Sequence, residues 1–309
     1  MTDAVSTAMR PGRSATSETV RRLPEYLMIW VPLLLSAAHL ISFSIWTIWI
    51  SFTPSTLVPV SGWVGLRNYN AVLASRNWQI AFDNLLLFGI AFVLLSLVTG
   101  LVLAVLLEQR IRGENVLRTI FLYPLAVSFV VTGTVWSWLL NPGIGIEKLV
   151  HDLGWSSFHF DWLVNRDMAI WTIVIAAIWQ SSGFAMALFL AGLRSVDADI
   201  IRAAQIDGAG PFRTYWRVIL PTLWPITITV VVVQLQFAIS AFDLVRALTN
   251  GGPGIATQLP ALVVYDLMFQ RSQLGRGAAA AVLMLLILLA VLLPYAAWRY
   301  VQRRQATHA

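Results

Sequence analysis

The sequence contains no cysteine and only one lysine, Lys148, and charged residues make up 12% of its 309 residues. The absence of cysteine excludes disulfide bonds, thiolate metal ligands and cysteine nucleophiles. The scarcity of charge is matched by a hydrophobic content of 58%, which is too high for a soluble domain of this length. We therefore predict an integral membrane protein.

Six apolar stretches are long enough to cross a hydrocarbon core of about 30 Å as helices. They cover residues 26–52, 85–107, 119–140, 168–192, 222–242 and 277–298. None shows the period-two alternation of a membrane barrel, so we expect an all-α fold with six transmembrane helices. His39 is the one ionisable group inside the first stretch, where a packing role is more common than proton transfer.

The basic residues are distributed unevenly between the loops. Fourteen of the 21 lie in the N-terminal tail, the second and fourth loops and the C-terminal tail, whereas the other three loops are longer and hold seven. By the positive-inside rule both termini should be cytoplasmic. The net charge of +6 then reflects membrane topology, and no nucleic-acid partner is expected.

The apolar stretches and their basic flanks divide the chain into three parts. Residues 1–24 are rich in Ser, Thr, Ala and Arg and are expected to form a disordered cytoplasmic tail. Residues 25–300 form the transmembrane domain, and residues 301–309 form a cytoplasmic tail.

The fourth loop, residues 193–221, combines small residues with turn formers. It holds Arg-Ala-Ala at 202–204, Gly208, and Val-Ile-Leu-Pro at 218–221. Asp197 or Ser195 can cap a short helix, Gly208 permits a turn, and a second short helix can begin after Gly210 and end before Pro221. The hairpin predicted here is either a docking knob for another protein or an amphipathic linker on the bilayer surface.

This loop resembles the EAA motif of importer permeases, in which Glu-Ala-Ala, three residues, Gly, nine residues, Ile, any residue and Leu-Pro follow one another. Residues 64–69, 136–142 and 248–253 are similar to three further segments of sugar permeases, in the same order along the chain. The chain is thereby identified as a member of the maltose-transporter-like, or MalF-type, carbohydrate ABC importer permeases. It looks closest to the glucose, mannose and α-glucoside members.

The resemblance implies a type I ABC importer permease in a bacterial cytoplasmic (inner) membrane, which translocates a monosaccharide or small glucoside. The implied partners are a second homologous permease, two ATP-binding-cassette ATPase subunits, an extracytoplasmic sugar-binding protein and membrane lipid. The chain itself is expected to be non-catalytic, without a metal site or bound cofactor. It lacks a phosphate loop, so ATP and Mg²⁺ should bind the ATPase subunits.

The motif also implies which residues dock on the ATPase. They are Arg202, Ala203, Ala204, Asp207, Gly208, Ala209, Pro211 and Phe212. Arg202 replaces the acidic residue of the family, so an ion pair with the ATPase must be absent, reversed or replaced, for example through Asp207.

Polar and aromatic residues inside the fourth and fifth spans are candidates for sugar binding, because sugar hydroxyls need hydrogen-bond partners within the membrane. The positions that match the family's sugar site are Gln180, Ser181, Phe184, Gln234, Phe237, Ala238 and Ala241. The alternative is that these Gln and Ser side chains join helices. Asp243 precedes Arg246 by one turn, so it either forms an ion pair there or lies on the sugar path.

Three other readings of the chain remain open. It could transport another small polar solute, such as a polyol, a glycerol-phosphate-like compound or a modified sugar. A self-sufficient secondary transporter would need an intramembrane carboxylate, and the spans have none in their cores. A membrane enzyme would need clustered acidic or His residues, but His151, Asp152, His159 and Asp161 follow no metal-ligand spacing.

Overall fold

The computed structural model describes residues 15–109 and 112–308, and over these ranges every regular element is helical. The helices are α1 (Ala15–Ser51), α2 (Arg67–Leu73), α3 (Arg76–Glu108), α4 (Glu114–Ala126), α5 (Phe129–Leu139), α6 (Ile146–Asp152), α7 (Ala169–Ser195), α8 (Ala198–Ile206), α9 (Pro211–Thr214), α10 (Leu220–Thr222), α11 (Trp224–Ile239), α12 (Phe242–Leu248), α13 (Pro260–Tyr265) and α14 (Leu274–His308). Two single π-helical turns, Tyr215–Ile219 and Asp266–Gln270, connect helices within this series.

Four of the described helices are long and apolar enough to cross a membrane, in α1, α3, α7 and α14. Two bent pairs could add one span each, which gives up to six. The helical class is therefore confirmed for the described residues, and the number of spans depends on how the bent pairs lie in the membrane.

The third predicted span, residues 119–140, is divided into α4 and α5, whose axes differ by 99°. Pro124 lies in the last turn of α4, where it weakens the turn because it has no amide to donate, and Val127 then adopts an extended conformation with a ψ of 137°. Ser128 then starts α5 by accepting a hydrogen bond from the amide of Val130.

The fifth predicted span, residues 222–242, is also not a single straight helix. The helical segment Tyr215–Thr222 is bent by 62° relative to α11, and α11 ends at Ile239. The second short helix of the fourth loop, α9, ends at Thr214, before Pro221 as predicted, but a π-helical turn continues from it into α10, which contains Pro221.

Both predicted tails are helical where the structure describes them. Helix α1 begins at Ala15, inside the tail 1–24 that we expected to be disordered, and residues 1–14 lie outside the described part of the chain. Helix α14 continues through the C-terminal tail as far as His308. Residues 299–306 are mostly Arg, Gln, Ala and other residues without a helix-breaking tendency, which explains the continuation.

The described residues form two compact units, the first ending at Trp49 and the second beginning at Ile50. In the first unit, the apolar side chains of α1 are mostly exposed, among them Leu34, Ile41 and Ile45. Such a surface suits a helix that faces lipid.

The second unit is held together by two main hydrophobic clusters along α3 and α7. The first cluster includes Phe88, Phe92, Ile173, Val174, Ala177, Ala238 and Leu244. The second cluster includes Ala104, Leu107, Ala185, Met186, Leu190, Leu223 and Val230. The early parts of α3 and α7 share one cluster and their later parts share the other, so the two helices run in the same direction.

Close approach of α7 to α3 and to α4 depends on small residues. A Cβ atom added at Gly100 of α3 would lie 2.5 Å from the Cβ of Ala185 in α7. One added at Gly183 would lie 2.0 Å from the backbone oxygen of Phe121 in α4. Small residues at such positions allow helix backbones to approach in a membrane, where apolar burial alone does not drive association.

We expect Gly183→Ala to destabilise the protein by about 1 to 3 kcal/mol, because its methyl group would force α7 away from α4. The matched control is Gly89→Ala, at a buried helical glycine where an added Cβ would lie 3.9 Å from the Cβ of Ala238. Thermal unfolding of both variants in detergent measures the difference. Equal midpoints for the two variants would contradict the close α4–α7 contact.

Candidate functional site

A polar layer separates the two hydrophobic clusters inside the second unit. It consists of Ser96 on α3, Gln180, Ser181 and Ser182 on α7, and Gln234 on α11, all of them buried. On each helix these residues lie between a member of the first cluster and a member of the second cluster. Three helices thus place uncharged polar groups at one level of the bundle.

Hydrogen bonds join this layer to the neighbouring helices. The Nε2 of Gln180 donates to the carbonyl oxygen of Val127 at 2.7 Å, at the break between α4 and α5. The Nε2 of Gln234 donates to the Oγ of Ser181 at 3.4 Å, which connects α11 to α7. The Oγ of Ser181 in turn donates to the carbonyl oxygen of Ala177, one turn earlier on α7, at 2.8 Å.

Both amide side chains of the layer have an unused acceptor. Gln180 is 1% exposed and Gln234 0%, and among the described residues neither Oε1 atom has a hydrogen-bond partner. An unsatisfied buried acceptor costs about 1 to 3 kcal/mol. These oxygens can accept hydrogen bonds from the hydroxyl groups of a ligand or from water.

Aromatic rings lie beside the layer. The ring of Phe237 on α11 lies 6.3 Å from that of Phe184 on α7 and 6.3 Å from that of Phe129 at the start of α5, measured between centroids. All three rings therefore meet near the break between α4 and α5. They offer apolar faces next to hydrogen-bonding groups, which is the combination that a ligand with both polar and apolar faces requires.

The structure brings most of the predicted binding residues together on facing helices. Gln180, Ser181 and Gln234 belong to the polar layer, and Phe184 and Phe237 to the ring group. Ala238 and Ala241 pack with the first hydrophobic cluster.

Two contributors to the layer were missed by the sequence analysis. Ser96 is buried with a side-chain oxygen that lacks a partner among the described residues, and the carbonyl group of Val127 becomes available to Gln180 because α4 ends there. A lone Ser in the apolar run of α3 was a visible signal for the first. The carbonyl group of Val127 can accept from Gln180 only because the helix breaks there, and the sequence analysis did not predict that break.

A second candidate site is the surface hairpin, residues 197–214, which joins α7 to the bent pair that contains α11. Asp197 caps α8 by accepting a hydrogen bond from the amide of Asp199 at 2.9 Å, as one of the two predicted caps. Gly208 has a φ of 77°, which Val or Ile adopts only with strain, and it turns the chain toward α9. A Cβ at Gly208 would meet no atom within 4 Å, so the requirement for glycine is conformational.

The hairpin has an inner and an outer face. Ile201 packs against the second hydrophobic cluster, whereas Ile206 is 85% exposed and Ala203 is also exposed. Asp207 is exposed, Ala204 and Ala209 are half-buried, and the side chains of Pro211 and Phe212 lie outside the described part of the structure. The outer face therefore presents small and apolar residues, which suits contact with another protein.

Arg202, the departure from the family pattern, forms an ion pair within the hairpin. Its Nη1 lies 2.8 Å from the Oδ1 of Asp199, and both side chains are largely exposed. The pair spans one helical turn, and exposed pairs of this kind contribute little to stability. Arg202 therefore remains available to a partner.

One polar contact attaches the base of the hairpin to the bundle, and an ion pair beside it joins α7 to α4. The hydroxyl group of Tyr215 donates to the carboxylate of Glu108 at the end of α3. Arg194, near the end of α7, forms an ion pair with Glu114 in the first turn of α4. Displacement of the hairpin would therefore act on α3 through Tyr215 and on α7, which leads directly into the hairpin.

Of the two alternatives for Asp243, the intrahelical ion pair with Arg246 is not formed. The guanidinium group of Arg246 instead bonds to the Oδ1 of Asn250, and its Cζ lies 4.8 Å from the ring centroid of Tyr265. The turn at Asn250, whose φ is 52°, brings that side chain within reach.

His39 lies against Phe43 on α1, with ring centroids 4.4 Å apart, which agrees with a packing role.

The chain was compared with known proteins. Residues 96–307 match the family described as the inner membrane component of binding-protein-dependent transport systems. A probable ABC transporter permease protein of Pyrococcus horikoshii is 37% identical over 281 residues, which cover 90% of this chain and 96% of that protein. The xylose/arabinose import permease protein XacH of Haloferax volcanii is 36% identical over 239 residues, covering 77% of this chain and 75% of that protein.

Chains of solved structures have a similar fold. A chain of a bacterial alginate ABC transporter, in complex with its alginate pentasaccharide-bound periplasmic protein, aligns with a TM-score of 0.76 and 18% identity. The alignment covers 91% of this chain and 95% of that chain. At 18% sequence identity this similarity shows a common fold and nothing about the substrate.

Proposed function

We propose that this chain, which belongs to the family of inner membrane components of binding-protein-dependent transport systems, is the permease subunit of an ABC importer that moves a monosaccharide or small glucoside. The observation that carries the proposal is the buried polar layer with its two unused amide oxygens, in a chain whose relatives include a pentose import permease. Sugar hydroxyl groups can donate to such oxygens.

Membership of this family supports a role in a larger assembly. We infer that it pairs with a second permease and two ATPase subunits, which bind ATP and Mg²⁺, and that it receives its sugar from an extracytoplasmic binding protein. The similar alginate transporter, whose structure includes a periplasmic protein, supports the last of these partners. The uneven distribution of basic residues supports both termini lying on the cytoplasmic side of the membrane.

The sugar path is proposed to run through the polar layer. In the present structure the amide donors of Gln180 and Gln234 are engaged between helices. Passage of a sugar therefore requires α7 and α11 to separate, after which the amide groups exchange interhelical bonds for bonds to the sugar. The neighbouring rings of Phe184 and Phe237 would pack on the apolar face of a pyranose.

The surface hairpin is proposed to dock in a groove of the ATPase subunit. Exposed Ile206 and Ala203 form the contact, and Gly208 sets the turn between the two short helices. Because Tyr215 connects this region to α3, and Arg194 joins α4 to α7 just before the hairpin, a displacement caused by ATP binding would reach the helices around the polar layer.

The assembly is tested by co-purifying this chain with the products of neighbouring genes and measuring ATP hydrolysis in proteoliposomes. We expect hydrolysis to be stimulated by the binding protein together with its sugar, because the permease transmits the loaded state to the ATPase. The control is the binding protein without sugar. Transport by this chain alone in liposomes would contradict the proposal.

Gly208→Val tests the hairpin. We expect sugar-stimulated ATP hydrolysis and transport to fall together, because a β-branched residue at a φ of 77° costs about 1 to 3 kcal/mol and changes the turn. Gly210→Val is the matched control, since Gly210 is in the same loop, has no atom within 4 Å of an added Cβ and does not have a positive φ. Normal transport by the Gly208 variant would refute the docking role, and the affinity of the binding protein for sugar should stay unchanged.

Gln234→Ala and Phe237→Ala test the sugar path. We expect each to weaken sugar retention by the membrane complex, for Gln234→Ala by about 5- to 150-fold, which corresponds to losing one buried hydrogen bond of about 1 to 3 kcal/mol. Gln236→Ala is the control, because Gln236 lies on the same helix but is exposed. The measurement is sugar-dependent transport normalised to assembled complex, and unchanged sugar dependence in both variants would remove this face of α11 from the path.

A further inference from the structure

The connection between α5 and α7 contains a cluster of metal-ligand side chains that the sequence analysis did not recognise. Its two histidines, His151 and His159, follow no metal-ligand spacing in the sequence. The short helix α6 adds Glu147, four residues before His151 and therefore on the same helical face. The chain then turns back and places His159 beside both.

The three side chains converge closely. One ligand atom from each of Glu147, His151 and His159 lies within 4.8 Å of the other two. The rings of the two histidines are perpendicular, with centroids 5.9 Å apart.

One pair already has the separation that a tetrahedral metal requires. The Nδ1 of His159 lies 3.2 Å from the Oε1 of Glu147. Ligands about 2.0 to 2.1 Å from a zinc ion at tetrahedral angles are about 3.4 Å apart. The remaining separations can shorten at low cost, because the His159 side chain is 74% exposed and free to adjust.

The second histidine is oriented by its backbone surroundings. The Nε2 of His151 lies 2.6 Å from the carbonyl oxygen of Phe158, which can only accept, so Nε2 carries the proton. This tautomer leaves the lone pair on Nδ1. Histidine ligands of metals usually donate their other ring N–H to a carbonyl or carboxylate group in this way.

The carboxylate of Glu147 is also poorly satisfied by the protein alone. Its side chain is 12% exposed, and its Oε2 is buried without a hydrogen-bond partner among the described residues. The neighbouring cation Lys148 does not compensate it, because its Nζ bonds to both carboxylate oxygens of Asp152. A metal ion would supply the missing positive partner.

We propose that Glu147, His151 and His159 bind one divalent transition-metal ion of the zinc class, with a fourth position open to water. Two imidazole nitrogens and one carboxylate oxygen are the donor set that zinc favours at sites with an open position. The metal joins α6 to the segment around His159 and so stiffens the connection between α5 and α7. The alternative is a simple ion pair between protonated His159 and Glu147.

The experiment uses the full chain, purified with a tag that contains no histidine and stripped of metal with a chelator. Equilibrium dialysis against Zn²⁺ measures stoichiometry, and Co²⁺ serves as an optical probe of tetrahedral coordination. We expect one ion per chain and a higher unfolding midpoint with Zn²⁺ than without it. This test does not depend on transport, so it can fail while the proposed function stands.

Variants separate a metal site from an ion pair. His151→Ala and Glu147→Gln should each weaken Zn²⁺ binding at least tenfold and abolish the thermal shift, whereas an ion pair between Glu147 and His159 would not involve His151. His39→Ala and Asp152→Asn are the matched controls, because His39 lies in α1 and Asp152 is engaged with Lys148. Glu147→Gln keeps the shape of the side chain, so it reports on ligation even if His151→Ala folds poorly.

Binding of less than one ion per chain, or equal Zn²⁺ affinity in the Glu147→Gln variant and the controls, would overturn the proposal.

Discussion

The packing of α3 along α7 is the contact on which the other features of the second unit depend. These helices run in the same direction and approach closely where Gly100 meets Ala185. In a membrane, apolar burial contributes little to helix association, so close packing of small residues must supply the attraction. A bulky residue at either position would separate the helices and disrupt both hydrophobic clusters.

The polar layer lies within this packing, and its unpaired acceptors lower the stability of the bundle. Two tightly packed apolar regions enclose Gln180 and Gln234, whose donors are engaged but whose Oε1 atoms are not. A bundle selected only for stability would fill this level with apolar side chains. We propose that a ligand passing through the layer uses these acceptors, and that the hydrogen bonds between helices close the path in its absence.

The two halves of the proposed mechanism meet at the end of α3. Glu108 binds the hydroxyl group of Tyr215, so the helix that lines the polar layer also contacts the base of the surface hairpin. The hairpin can act as a rigid lever because its turn is set by a backbone conformation at Gly208 and its first helix is capped by Asp197. The outer face, with Ile206 and Ala203, is exposed, as the proposed docking on an ATPase requires.

The local sequence determined the helical class, the hairpin and most of the candidate binding residues. Long uncharged runs can satisfy their backbone in lipid only as helices, and the positive φ at Gly208 and the cap at Asp197 depend on neighbouring residues. The same local logic overlooked the helical extension to Ala15 and the break after Ala126, where Pro124 and Ser128 act together.

Only the tertiary structure decided which groups meet. The hydrogen bond from Gln180 to Val127 spans 53 positions of the chain, and the α4–α5 break that exposes this carbonyl is stabilised by α7. Likewise, His159 reaches Glu147 because the chain turns back after α6, although their spacing in the sequence follows no metal-binding pattern. Such contacts depend on the packing of distant segments, and spacing along a single sequence does not specify that packing.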